Sequence, residues 1–136
     1  MNDALEQGLF QDFPQIFRDW GGDPIETCMA WGIAVGDGWH DLIRKLCVDI
    51  MALNPPEEFK AEQVKEKFGE LRFYVSGGTV EILDLVDKAE NDSGDICESC
   101  GSLDDVTSSG SWVKTLCDTC RTGKTPKLDS PKPKSI

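Results

Sequence analysis

The sequence is short of the features that mark the commoner classes of protein. No apolar run approaches the ~18 residues that a membrane-spanning helix needs. The start, Met1-Asn2-Asp3-Ala4-Leu5-Glu6, has neither the basic residues nor the apolar stretch of a secretory signal. A cytoplasmic location is expected, and in a reducing compartment thiols are metal ligands or core residues more often than disulfides. Histidine occurs once, at His40. A Cys–His nucleophile would have to pair it with Cys47, about 10 Å away along the axis of a shared helix, or with Cys28 through folding of a glycine-rich loop. Cys28 and Cys47 are read instead as small buried residues. Gly-x-x-x-x-Gly-Lys-Ser/Thr, Gly-x-Ser-x-Gly and Gly-x-Gly-x-x-Gly are all missing, which removes the usual phosphate-cradling, serine-hydrolase and dinucleotide signatures.

Basic residues are also scarce, 14 against 25 acidic ones, for a formal net charge of −11. The shortage is uneven. From Arg121 to Ile136 five basic residues accompany a single acid, Asp129, whereas the 120 residues before them hold 9 basic and 24 acidic. Such a body is repelled by phosphate backbones, because nucleic-acid affinity comes mainly from cations that displace counterions. Its acidity serves solubility, or docking onto a basic groove of a protein partner. Glu57, Glu58, Glu62, Glu66 and Glu70 could supply paired carboxylates for acid–base work, but a solvated face explains them equally well.

With 136 residues, 39% apolar and 29% charged, the chain has the balance of one compact domain, or of one domain carrying a small appendage. Leu5, Leu9, Phe13, Ile16, Phe17 and Trp20 recur at helical spacing, which predicts a helix over 3–20 that is kinked or restarted at Pro14. Cys28 to Trp39 holds three glycines and reads as a loop with one short ordered turn. Trp39, Leu42, Ile43, Leu46, Cys47 and Ile50 form one stripe of a helix over 39–53, ended by Asn54-Pro55-Pro56. Residues 62–66 suit a strand or a short helix. Lys67-Phe68-Gly69-Glu70 reads as a turn, Leu71–Ser76 as a half-buried strand, and 79–92 as a helix capped by Thr79. From Ser93 the composition shifts to Ser, Gly, Asp and Cys. The expected division is an acidic body over 1–93, a small unit over 94–121, and a flexible basic tail over 122–136.

Cys97-Glu98-Ser99-Cys100 and Cys117-Asp118-Thr119-Cys120 are two Cys-x-x-Cys pairs separated by 16 residues, the spacing of a four-cysteine zinc site. Each tight pair turns two sulfurs toward one point, and the segment between is long enough to run out and back as a hairpin. Its expected strands are 103–107 and 111–116, turning at Ser108-Ser109-Gly110. Two matched pairs favour zinc or a single iron over an iron–sulfur cluster, and a thioredoxin-like motif needs only one pair. Four protein ligands saturate one ion and leave no place for water or substrate, so the expected role is structural. Binding of one zinc, worth ~10–16 kcal/mol in comparable peptides, would supply most of the folding energy of so small a unit.

Trp31, Trp39, Phe68, Phe73, Tyr74 and Trp112 lie in or beside glycine-containing segments. Most are expected in the core, with Trp31, Trp39 and Trp112 the candidates to anchor a protein partner, since tryptophan dominates interface hot spots. Cys28-Met29-Ala30-Trp31-Gly32, Gly36-Asp37-Gly38-Trp39, the block from Gln63 to Tyr74, and Cys97-Glu98-Ser99-Cys100-Gly101 ahead of Leu116-Cys117 together resemble a family of small phage and prophage zinc-ribbon proteins. The resemblance spans roughly 25–121. It implies a phage context and a C-terminal zinc ribbon, and it carries over no catalytic residue. The expected fold is α+β, with helices around a small antiparallel hairpin followed by the ribbon. The expected function is a non-enzymatic protein that inhibits a host defence protein, in the manner of an anti-CRISPR or anti-restriction factor, in the host cytoplasm. The alternatives are a nucleic-acid-binding accessory protein that uses the ribbon and the tail, and an enzyme built on the Glu57–Glu70 carboxylates or Cys28.

Overall fold

The computed structural model describes residues 1–23, 25–109 and 113–122. Among these the fold is mixed α+β. It contains helices α1 (Asp3–Asp12), α2 (His40–Ala52), α3 (Val80–Ser93) and α4 (Asp118–Thr122), and strands β1 (Ile33–Ala34), β2 (Lys60–Lys67), β3 (Glu70–Ser76), β4 (Val106–Ser109) and β5 (Lys114–Cys117). The first sheet has the order β1-β2-β3. β1 runs parallel to β2 with Ile33 opposite Val64, and β2 is antiparallel to β3 with Val64 opposite Phe73. β4 and β5 form a separate antiparallel pair. No helix among the described residues is long and apolar enough to cross a membrane.

Helical periodicity reads α2 and α3 correctly. Ile43, Leu46, Cys47 and Ile50 of α2 and Ile82, Val86 and Ala89 of α3 are buried, and the Thr79 hydroxyl accepts the Ile82 N–H at 3.3 Å as an N-cap. The first helix is shorter than its apolar spacing suggests. It stops at Asp12, because a residue before proline is pushed out of helical geometry, and Phe13 sits at φ −130°, ψ 60°. Turns then carry Ile16 and Phe17 into the same core, where the Ile16 carbonyl accepts the Ala61 N–H at 2.7 Å. The loop over 28–39 is also more ordered than expected. It holds two 3-10 turns, Cys28–Trp31 and Asp37–Trp39, around β1. The ambiguous segment at 62–66 is strand.

Phe68 and Gly69 close the β2–β3 hairpin with φ values of 53° and 83°. Both central residues of this two-residue turn are left-handed, the geometry that matches strand twist. Glycine takes it freely; phenylalanine does not.

β3 lies at the edge of its sheet, and α3 blunts that edge. The Leu71 N–H donates to Ser93 Oγ at 3.0 Å, and the Phe73 N–H to a Glu90 carboxylate oxygen at 2.9 Å. Unpaired edge groups otherwise recruit foreign strands. Burial raises the Glu90 pKa above the usual carboxylate value, and the Phe73 N–H only partly offsets this. A carboxyl raised in the folded state adds stability at low pH that is lost as the pH rises through its folded value. Glu90→Gln should therefore melt at or above the parent at neutral pH, with the gap closing on acidification. Glu90→Ala, which leaves the Phe73 N–H without an acceptor, should cost about 1 kcal/mol by denaturant unfolding.

Candidate metal centre

The four cysteines of the two Cys-x-x-Cys pairs meet. The Sγ atoms of Cys97, Cys100, Cys117 and Cys120 lie 3.6–3.8 Å from one another. Sulfurs placed tetrahedrally about 2.3 Å from a central ion stand about 3.8 Å apart, so the spacing fits a closed four-thiolate shell. It is far too long for a disulfide, whose S–S bond is about 2.05 Å, and all six cysteines are free. Each pair is shaped by its own backbone. In the first, the Gly101 N–H returns to the Cys97 carbonyl at 2.9 Å, and the Cys97 N–H donates to Ser102 O at 2.9 Å. In the second, the Cys120 N–H points at Cys117 Sγ at 3.5 Å as the chain enters α4.

Burial pushes the Cys97 thiol up, but the N–H groups of Cys117, Cys100 and Ser99 outweigh it and hold the group down at about 6. Burial and the neighbouring Cys117 push Cys120 up to about 12. Packed thiols cannot all ionise together without a cation to balance them. A bound divalent ion removes that conflict, and metal binding by thiols accordingly releases protons.

The first pair is seated against the body through backbone contact. The Gly38 N–H donates to the Glu98 carbonyl at 2.7 Å, and the buried Glu98 carboxylate accepts the Gly36 N–H at 3.0 Å. A Cβ on Gly38 would stand 2.1 Å from the Cys97 oxygen, and one on Gly36 2.4 Å from the Glu98 oxygen. Both glycines are therefore required by close approach. Trp39, fully buried, donates its indole N–H to the Ile96 carbonyl at 2.8 Å. From the other side the Glu98 N–H pairs with Thr115 O at 2.9 Å, and the buried Thr115 hydroxyl bonds the Gly69 carbonyl at the β2–β3 turn. Lys114 bridges Glu66 at 3.2 Å and Glu98 at 3.9 Å. The Arg121 guanidinium takes the carbonyls of Thr107, Ser109 and Lys114, tying α4 to the β4–β5 pair.

These contacts correct parts of the sequence reading. Trp39 cannot anchor a partner, because its ring is enclosed and its N–H is used beneath the first cysteine pair. Trp31 is 73% exposed, while Trp112 and the tail from 123 onward lie outside the described residues. Cys28 is exposed rather than buried, and Cys47 is buried as expected, with burial raising its pKa. The strands predicted over 103–107 and 111–116 are instead Val106–Ser109 and Lys114–Cys117, so Ser108 and Ser109 lie in β4, with Ser109 opposite Lys114, while Gly110 lies outside the described residues. The last helix ends at Thr122, one residue into the segment read as tail. The seat formed by Gly36, Gly38, Glu98 and Lys114 was missed, although two glycines flanking Asp37 just before a tryptophan carried the signal for a close backbone approach.

No protein-family profile, curated protein or solved structure matches this chain.

Purified protein should contain one divalent metal ion per chain by elemental analysis. Chelation or acidification should release it and change the fluorescence of Trp39, whose N–H is fixed to Ile96. Gly38→Ala should weaken metal retention by at least about tenfold in a chelator competition, since the clash displaces Cys97 itself; at about 1.4 kcal/mol per factor of ten, that is a modest share of the binding energy.

Proposed function

We propose that this chain is a non-enzymatic, zinc-stabilised binding protein of phage type. In this reading it inhibits a host defence protein, of the CRISPR or restriction kind, by laying carboxylates over a basic surface that otherwise holds nucleic acid. The observation that carries the reading is the outer face of α3. Glu81, Asp84 and Asp87 follow at three-residue intervals and are all exposed, beside Val80 at 72% and Leu83 at 45% exposure. Lys88 is held by Asp92 at 2.8 Å and does not neutralise the row. Carboxylates with apolar neighbours offer a cationic groove both charge and desolvated contact, and the exposed Trp31 supplies a further anchor.

Zinc suits an all-sulfur tetrahedral shell that lacks an open position, and such a shell is a staple rather than a reaction centre. The gathering of the same four cysteines supports the ribbon reading of residues 94–121. Of the carboxylates that could have served acid–base chemistry, Glu66 is held by Lys114 and the Gly69 N–H, and Glu70 by Arg72.

The test is affinity capture from a bacterial host lysate with the intact chain and with Glu81→Lys/Asp84→Lys/Asp87→Lys. A stable nucleic-acid-binding partner, lost with the triple variant and at high salt, is the expected result. Capture that ignores the charge reversal, or no partner at all, contradicts the reading.

A further inference from the structure

The nine basic residues of the first 120 are not used alike. Arg44, Lys45, Lys60, Lys88 and Lys114 each hold a carboxylate, on Asp12, Asp49, Asp19, Asp92 and Glu66. Arg18 gives its guanidinium to the carbonyls of Gln15, Glu57 and Phe59. The remaining three, Lys65, Lys67 and Arg72, stand together on β2 and β3. Side chains alternate across a sheet. Val64 and Phe73 are paired and buried, so the neighbouring pairs Lys65–Arg72 and Gln63–Tyr74 project from the opposite face. Among the described residues neither Lys65 nor Lys67 forms an ion pair; Glu70, opposite Lys67 in the ladder, is held by Arg72 at 2.8 Å.

Two aromatics share this region. Tyr74, two residues along β3 from Arg72, is 41% exposed, and Phe68 at the hairpin tip is 72% exposed with the Lys67 ammonium 5.7 Å from its ring centre. Phe68 is also strained. Its φ of 53° is a conformation that asparagine or glycine adopts readily and a bulky side chain does not. A residue that is both strained and uncovered gains nothing from the core, and such outliers point to a function outside it.

We propose that the outer face of the β2–β3 hairpin binds single-stranded nucleic acid, with Lys65, Lys67 and Arg72 at phosphates and Tyr74 and Phe68 stacked on bases. Stacking on exposed rings needs unpaired bases, which a duplex does not offer. An acidic peptide would satisfy the cations and leave both rings unused. Glu62 and Glu70 lie on the same two strands, Glu70 held by Arg72; the negative charge farther off is screened over more than about 10 Å at 0.1 M salt, so Lys65 and Lys67 set the local attraction. This site uses a different face from the carboxylate row of α3, and either can fail without the other.

The test is fluorescence anisotropy of labelled oligo-dT and oligo-rU with the full-length, metal-loaded chain. It is run beside Lys65→Gln/Lys67→Gln, Tyr74→Ala, Phe68→Asn, and a chain whose tail lysines 124, 127, 132 and 134 are all replaced by glutamine. The double lysine variant and Tyr74→Ala should each bind about tenfold more weakly, and the tail variant should keep most of the affinity. Phe68→Asn should bind more weakly yet melt at a higher temperature, since it relieves the turn; this separates lost contact from lost fold. No binding by the parent chain overturns the proposal. So does binding that disappears only with the tail lysines, duplex bound as tightly as single strand, or polyglutamate displacing the oligonucleotide as well as unlabelled oligonucleotide does.

Discussion

The approach of two backbones at Gly38 and Cys97 holds the rest together. A hydrogen bond from Gly38 to Glu98, without side-chain atoms between the strands of chain, fixes the first cysteine pair on the body. Gathering of four sulfurs then fixes the second pair, α4 and the β4–β5 strands. Neither half of this arrangement is self-sufficient. Residues 106–109 are largely exposed and bury no apolar cluster of their own, and a pair of strands this short is marginal in water. A cation with four thiolates can supply what the missing core does not.

The coupling runs in both directions. Thr115, two residues before Cys117, sits buried against the β2–β3 turn, and Lys114 joins Glu66 of β2 to Glu98 between the cysteines. The turn that displays Phe68 is thereby braced by the strand that delivers Cys117 to the sulfur cluster. Occupancy of the sulfur cluster and rigidity of the hairpin tip are thus linked through named contacts, not merely through distance.

Much of the layout was legible in the sequence, and the reasons are physical. The stripes of α2 and α3 are periodic because one side of each helix faces a shared core. The two Cys-x-x-Cys pairs are legible because ligand geometry restricts spacing far more than packing does. The overextended first helix shows the limit: Ile16 and Phe17 have helical spacing from Leu9, but burial only demands that they reach the core, and Pro14 delivers them by a turn. Trp39 misled for a related reason. Glycines around a tryptophan suggested exposure, whereas here they clear space for a neighbouring backbone that only tertiary structure supplies. The cations of β2 and β3 could have been found from the alternation of Gln63-Val64-Lys65-Glu66-Lys67, yet that Lys65 and Lys67 hold no ion pair among the described residues emerges only when every other basic residue has been placed.

The most direct measurement is X-ray absorption at the metal edge of the purified, folded chain. Four sulfur neighbours at about 2.3 Å and no oxygen or nitrogen in the shell is the result this account predicts. A folded chain that carries no metal, mixed oxygen or nitrogen ligation, or sulfurs bonded to one another would contradict it.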